Sequence, residues 1–125
     1  MPTHTPWGIS DTEKQIAPGV MGYTTASHGG YHLSGERLAE MPAGWKCVHG
    51  YPAGWYEEDC TWSLVVLAFP ETFDAFSLTY ALPCAERWCA DLLDEWPKAM
   101  QDRYFACLEV AQTVTAAAIR EGAVR

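Results

Sequence analysis

The stretch Glu57-Glu58-Asp59-Cys60-Thr61-Trp62-Ser63-Leu64-Val65-Val66-Leu67-Ala68-Phe69-Pro70 decides the fold. It divides a glycine-rich half from an alanine-, leucine- and acid-rich half. Its apolar run, Leu64–Phe69, suits either a buried strand or a buried helix, and it is too short to span a bilayer. The three carboxylates ahead of it favour helix. Asp59 can cap a helix N-terminus, and acids there oppose the macrodipole. Pro70 then stops the helix. With this segment helical, strands are confined to the residues before it. The chain reads as α+β, a small antiparallel sheet over 5–49 packed against helices over 60–121.

Residues 1–56 hold most of the glycines and prolines and all four histidines. Thr5–Ser10 reads as a short strand, Ala17-Pro18-Gly19 as a turn, and Val20–Ser27 as a strand rich in β-branched and aromatic residues. His28-Gly29-Gly30 reads as a sharp turn, because glycine tolerates positive φ. Tyr31–Leu33 is then the returning arm of a hairpin. Ser34 can cap a helix over Gly35–Met41, which Pro42 ends. Trp45–His49 reads as another strand and Gly50–Gly54 as a loop.

In the second half, Glu71–Pro83 shows no regular period. Residues 84–96 read as an amphipathic helix, with Ala85, Trp88, Cys89, Leu92, Leu93 and Trp96 on one face. That places Trp88 and Trp96 in a helix core. Pro97 suits the first position of a helix over Lys98–Glu121, with Met100, Tyr104, Cys107, Leu108, Ala111 and Ala118 as its buried stripe and Gly122 just past its end. The two helices form a hairpin at Trp96-Pro97. The expectation is one domain over 1–125, strand- and turn-rich over 1–56 and helical over 57–125.

The chain has 125 residues, 49% of them hydrophobic, and carries 8 Lys+Arg against 16 Asp+Glu for a net charge of -8. That excludes a disordered tail and a non-specific nucleic-acid binder. The acidity is local. Residues 57–95 carry Glu57, Glu58, Asp59, Glu71, Asp74, Glu86, Asp91, Asp94 and Glu95 against one base, Arg87. These carboxylates are expected to dock on a basic surface of a host or defence-system protein complex, with no direct contact to nucleic acid or membrane. The plainer reading is a solvated helix face. The N-terminus lacks the basic and apolar regions of an export signal. Cys47, Cys60, Cys84, Cys89 and Cys107 are odd in number with no CxxC spacing. Reduced thiols in a cytoplasm are expected, with no metal and no cofactor.

Two local constellations invite chemistry. In Ser27-His28-Gly29-Gly30, a ligand can approach closely and His28 can serve as general acid or base. The plainer reading is a turn that His28 hydrogen-bonds within itself. His28 and His32 are four apart, but the glycines between them oppose the helix that would align them on a metal, and His4 and His49 add no ligand pattern. In Gly54-Trp55-Tyr56-Glu57-Glu58-Asp59 with Trp62, the carboxylates can hold a cation or do acid/base work. They lack the alternating spacing of a calcium loop, and adjacent residues rarely converge on one bond. The plainer reading is a helix start, with Trp55 and Trp62 in the core. No P-loop, GxGxxG or nucleophile elbow is present. No catalytic residue is assigned, and a small enzyme or ligand-binding domain centred on His28, Glu57 and Glu58 is the second reading.

Thr5-Pro6-Trp7-Gly8, Ala17-Pro18-Gly19, Ser27-His28-Gly29-Gly30 with Leu33-Ser34, Met41-Pro42, and Gly54–Asp59 with Trp62 and Phe69-Pro70 occur in that order. Over about residues 5–70 this resembles an uncharacterised domain family of phages, plasmids and integrative elements of proteobacteria, with TPWG, SHGG and WYEED motifs. The resemblance implies no activity. It implies a context: a mobile genetic element in a bacterial host, working in the cytoplasm. Small acidic proteins of such elements resemble, in general profile, anti-defence proteins of the anti-CRISPR kind.

Overall fold

The computed structural model describes residues 2–120. The chain opens with a small hairpin of β1 (His4–Thr5) and β2 (Gly8–Ile9), with Pro6 and Trp7 at its tip and Gly8 at φ 122°. The strand expected over Thr5–Ser10 is therefore folded back on itself. A four-stranded antiparallel sheet follows, in the order β3 (Thr12–Ala17), β4 (Val20–Thr24), β5 (Gly29–Leu33), β6 (Trp55–Glu57). β3 carries no apolar alternation and so gives no strand signal. It lies at the sheet edge with Thr12–Gln15 exposed, where polar residues are tolerated.

Three expectations in this half need correction. The β4–β5 turn is Thr25–His28, and Gly29 and Gly30 lie within β5 rather than in the turn. What glycine supplies there is space, not positive φ. A Cβ on Gly30 would overlap the Tyr56 carbonyl oxygen and stand 2.5 Å from Trp7 Cη2, and one on Gly29 would stand 2.8 Å from the Tyr23 carbonyl oxygen. Second, Ala43–Trp45 is a 3-10 turn and not the start of a strand. The fully buried Trp45 indole donates to the Leu92 carbonyl at 2.8 Å, and the Tyr56 hydroxyl donates to the Trp45 carbonyl at 2.5 Å. Those two bonds settle the local backbone. Third, the strand that completes the sheet is Trp55–Glu57. The short helix α1 (Gly35–Ala39) forms as expected, with the Ser34 hydroxyl accepting from the Arg37 N–H at 3.2 Å.

The deciding stretch is helical. α2 (Trp62–Ala68) buries every residue from Ser63 to Ala68, so it is apolar on all sides. α3 (Ala75–Trp88) covers the segment that showed no period. Asp74 caps it by accepting the Ser77 N–H at 2.8 Å. Its buried positions, Leu78, Ala81 and Ala85, are few, and Pro83 inside it removes the bond to the Thr79 carbonyl, which hides the helix from a reading by periodicity. Residues 84–96 are correspondingly not one helix. The chain leaves α geometry at Cys89 and passes into a 3-10 helix over Ala90–Glu95. Ala85, Cys89 and Trp96 are buried, but Trp88 is 52% exposed and stands outside the core. α4 (Lys98–Arg120) buries Met100 and Tyr104 and packs Cys107, Leu108 and Ala111 against the core. Its expected glycine stop, Gly122, lies outside the described residues. One cluster of buried side chains runs from Val20 to Tyr104. The Trp45–Leu92 bond and the Gly44 N–H donated to Glu95 at 2.9 Å tie the strand half to the helical half.

Gly30→Ala should destabilise the protein by about 2–3 kcal/mol, because the clash involves main-chain atoms that cannot rotate away. Chemical denaturation measures it, and a change below about 0.5 kcal/mol would show that the Trp7–Gly30–Tyr56 stack is loose.

Candidate functional site

The TPWG, SHGG and WYEED segments meet on the outer face of the sheet. Register pairs Gly30 with Glu57 and His32 with Trp55. The tip of the first hairpin sets Trp7 over Gly30, edge-on to Trp55 at 5.7 Å and to Tyr51 at 5.9 Å. Trp55 also meets Tyr23 at 5.5 Å and His32 at 4.3 Å. TPWG, SHGG and WYEED therefore lock one aromatic layer over a glycine gap, which accounts for Trp7, Gly30 and Trp55 structurally. The Trp7 Nε1 is buried and has no hydrogen-bond partner among the described residues. Burial holds His32 below its ordinary pKa of 6.5.

Tyr56 points to the other face and is fully buried. At that face a groove of about 300 Å³ lies over the strands, lined by Lys14, Gly22, Gly29, Tyr31, Glu58 and Trp62 among others. His28 stands outside the groove. Its Nδ1 is 3.7 Å from Glu58 Oε1, and both side chains are half exposed. The His28 N–H donates to Thr25 Oγ1 at 3.1 Å, and the exposed Ser27 donates to the same oxygen at 3.4 Å, so the turn satisfies itself.

Glu57 is 7% exposed and is not a surface carboxylate. Its Oε1 accepts the N–H groups of Cys60 and Thr61 at 2.7 and 2.9 Å, and its Oε2 that of Asp59 at 2.6 Å. In return the Glu57 N–H donates to Thr61 Oγ1 at 2.8 Å. This reciprocal pair closes the turn over 58–61 that leads into α2. The N-cap of α2 is Thr61, two residues after the expected Asp59, and it makes no side-chain cap bond.

The remaining acids divide by job. Glu71 forms a two-pronged pair with Arg103 at 2.7 and 2.8 Å, which holds its carboxyl below the usual range. Asp74 caps α3, and Glu95 takes the Gly44 N–H. Asp59, Glu86, Asp91 and Asp94 are exposed, with no side-chain partner among the described residues. α3 also carries large exposed aromatics. Phe76 is 71% exposed and packs on Tyr80 at 4.7 Å, and Trp88 lies 5.0 Å from the Arg87 guanidinium.

One juxtaposition has no sequence signal at all. An exposed His49 nitrogen, a buried Glu57 oxygen and the half-buried Cys60 sulfur lie within 4.8 Å of one another. Burial and the Glu57 carboxylate push the Cys60 thiol up to about 11. His49 is four residues beyond the buried Trp45, in a turn that brings it back to the start of α2, and no regular ligand spacing announces it.

Two measurements check this division of labour. Glu57→Ala leaves three N–H groups without their acceptor and should cost about 3 kcal/mol or more, while Asp94→Ala should stay within about 0.5 kcal/mol. For His32, both folded and unfolded chains are neutral at pH 8. As pH falls below about 6.5 the unfolded chain takes a proton that the folded chain resists, so stability drops. Unfolding titrations between pH 7.5 and 5.5 should show that drop, flattened in His32→Gln. An identical slope in the variant would assign the drop elsewhere.

Among the described residues no helix is long and apolar enough to cross a membrane. No curated protein and no solved structure matches the chain. A family model described as a domain of unknown function matches residues 1–120, the helical half included. This protein belongs to the DUF7007 family.

Proposed function

We propose that this protein acts by binding another protein. It is a small acidic protein of a mobile genetic element that works in a bacterial cytoplasm. There it serves as an anti-defence inhibitor of the anti-CRISPR kind, docking on a basic nucleic-acid-binding surface of a host complex. What carries this reading is that residues 75–95 hold both the exposed carboxylates Glu86, Asp91 and Asp94, with no ion pair among the described residues, and the exposed rings of Phe76, Tyr80 and Trp88. Exposed aromatics supply anchors, and unpaired charges steer a partner of opposite sign. The order of the TPWG, SHGG and WYEED motifs supports the mobile-element setting. Glu57, Glu71, Asp74 and Glu95 leave the docking set, since each is committed within the fold.

The second reading, a small enzyme or ligand-binding domain, draws on the 3.7 Å approach of His28 to Glu58 beside the sheet groove. It loses Glu57, which is buried and does not line the groove.

Affinity capture from host lysate with the tagged protein should retain a complex that binds nucleic acid. The triple reversal Glu86→Lys, Asp91→Lys, Asp94→Lys should abolish retention without lowering thermal stability, and raised salt should weaken it. Retention untouched by the reversal, or no nucleic-acid-binding complex at all, defeats the proposal. Loss of binding in His28→Ala with the reversal variant unaffected would favour the second reading.

A further inference from the structure

The cluster of His49, Glu57 and Cys60 lies outside both surfaces just described. It combines an imidazole nitrogen, a carboxylate oxygen and a thiol sulfur, all within 4.8 Å of one another. Nitrogen and sulfur donors exclude a calcium or magnesium site, whose ligands are oxygens, and suit a borderline transition metal. Around zinc, bonds of about 2.0–2.3 Å set neighbouring donors roughly 3.3–3.8 Å apart. The present spread exceeds that by about 1 Å at its widest, and His49 is the most exposed of the three donors.

The surroundings are those that a ligand set needs. Glu57 is held by three main-chain N–H groups, the kind of outer-shell bonding that orients a ligating carboxylate. Two of these bonds fall on Oε1 and one on Oε2, which leaves Oε2 a lone pair. Cys60 is fixed at the same bend, since its own N–H is one of the three. His49 is presented by a tight turn, in which Tyr51 N–H donates to the Val48 carbonyl at 3.1 Å. Both central residues have positive φ, His49 at 52° and Gly50 at 79°. That turn ordinarily takes asparagine and glycine. Histidine at its first central position brings an imidazole to the mouth of a site whose floor is Glu57.

We propose that His49, Glu57 and Cys60 form a binding site for one divalent transition-metal ion, with zinc as the best-fitting occupant and an open fourth position facing solvent. Three protein donors and one open position is the arrangement in which zinc keeps a water ligand. Binding releases the Cys60 proton, because the thiolate is the ligand form.

The test uses the full chain, freed of metal by chelation and titrated with zinc by calorimetry, with cobalt as a spectroscopic probe. One equivalent of zinc should bind and raise Tm, and cobalt should give a thiolate charge-transfer band. Cys60→Ser and His49→Gly should each weaken binding at least about ten-fold and remove the cobalt band, while Cys47→Ser and Cys84→Ser should leave both unchanged. His49→Gly suits the left-handed turn and should raise the Tm of the metal-free protein, so its loss of binding cannot be ascribed to misfolding. Zinc should also shield Cys60 from iodoacetamide. The proposal is overturned by the absence of stoichiometric zinc binding, by binding that survives both Cys60→Ser and His49→Gly, or by Cys60 alkylation that zinc does not slow.

Discussion

The carboxylate of Glu57 is the point on which the fold turns. It ends β6, the last strand of the sheet, and within four residues it has gathered the N–H groups of Asp59, Cys60 and Thr61. Without that acceptor, the turn over 58–61 that leads into α2 would hold unpaired, partly buried donors, and a helix apolar on every side would have no defined entry angle. α2 is the element that the sheet, α3 and α4 all pack around. A charged residue in the interior is ordinarily expensive, and here the donors around it offset that expense. The interaction explains why an acid sits at 57 and why Thr61 answers it four residues later.

This also bears on what could be read from the sequence. Helix over Leu64–Phe69 was legible because the acids and Pro70 bracket the apolar run. Where the helix begins was not, since Glu57, by ending a strand, holds 58–61 in a turn and moves the N-cap from Asp59 to Thr61. The glycines tell a similar story. Gly29-Gly30 looks like a turn because φ freedom is the commonest need for paired glycines. Their actual need is space: at Gly30 for Trp7, from a hairpin far away in sequence, and at Gly29 for the Tyr23 carbonyl, and no local pattern encodes either contact. α3 and β3 were illegible for opposite reasons. α3 hides its few buried positions around Pro83, while β3 is an edge strand whose polar face carries no alternation. Trp88 has helical spacing yet faces solvent, because the helix ends at Cys89 before the stripe closes.

The acidity resolves into two populations. Glu57, Glu71, Asp74 and Glu95 hold the architecture together through N–H groups and Arg103. Asp59, Glu86, Asp91 and Asp94 are left over for solvent or for a partner. Sequence gives the sum of these charges and their order, and only the fold separates the committed from the free. His49 shows the reverse case. It is inconspicuous in the sequence and gains its interest from the bend that Glu57 creates.

The polar edge strand β3 has a consequence for how any partner can be met. Thr12, Glu13, Lys14 and Gln15 are exposed along the open margin of the sheet, and a register break between Gln15 and Ala17 twists its end. Charged side chains and a bulge at an edge discourage a foreign strand from continuing the sheet. Recognition by main-chain β-augmentation is thus disfavoured at this margin, as is growth of the sheet into a cross-chain ribbon. The molecule is left to be recognised through its side chains, and a crowded solution of identical copies finds no ready template along β3.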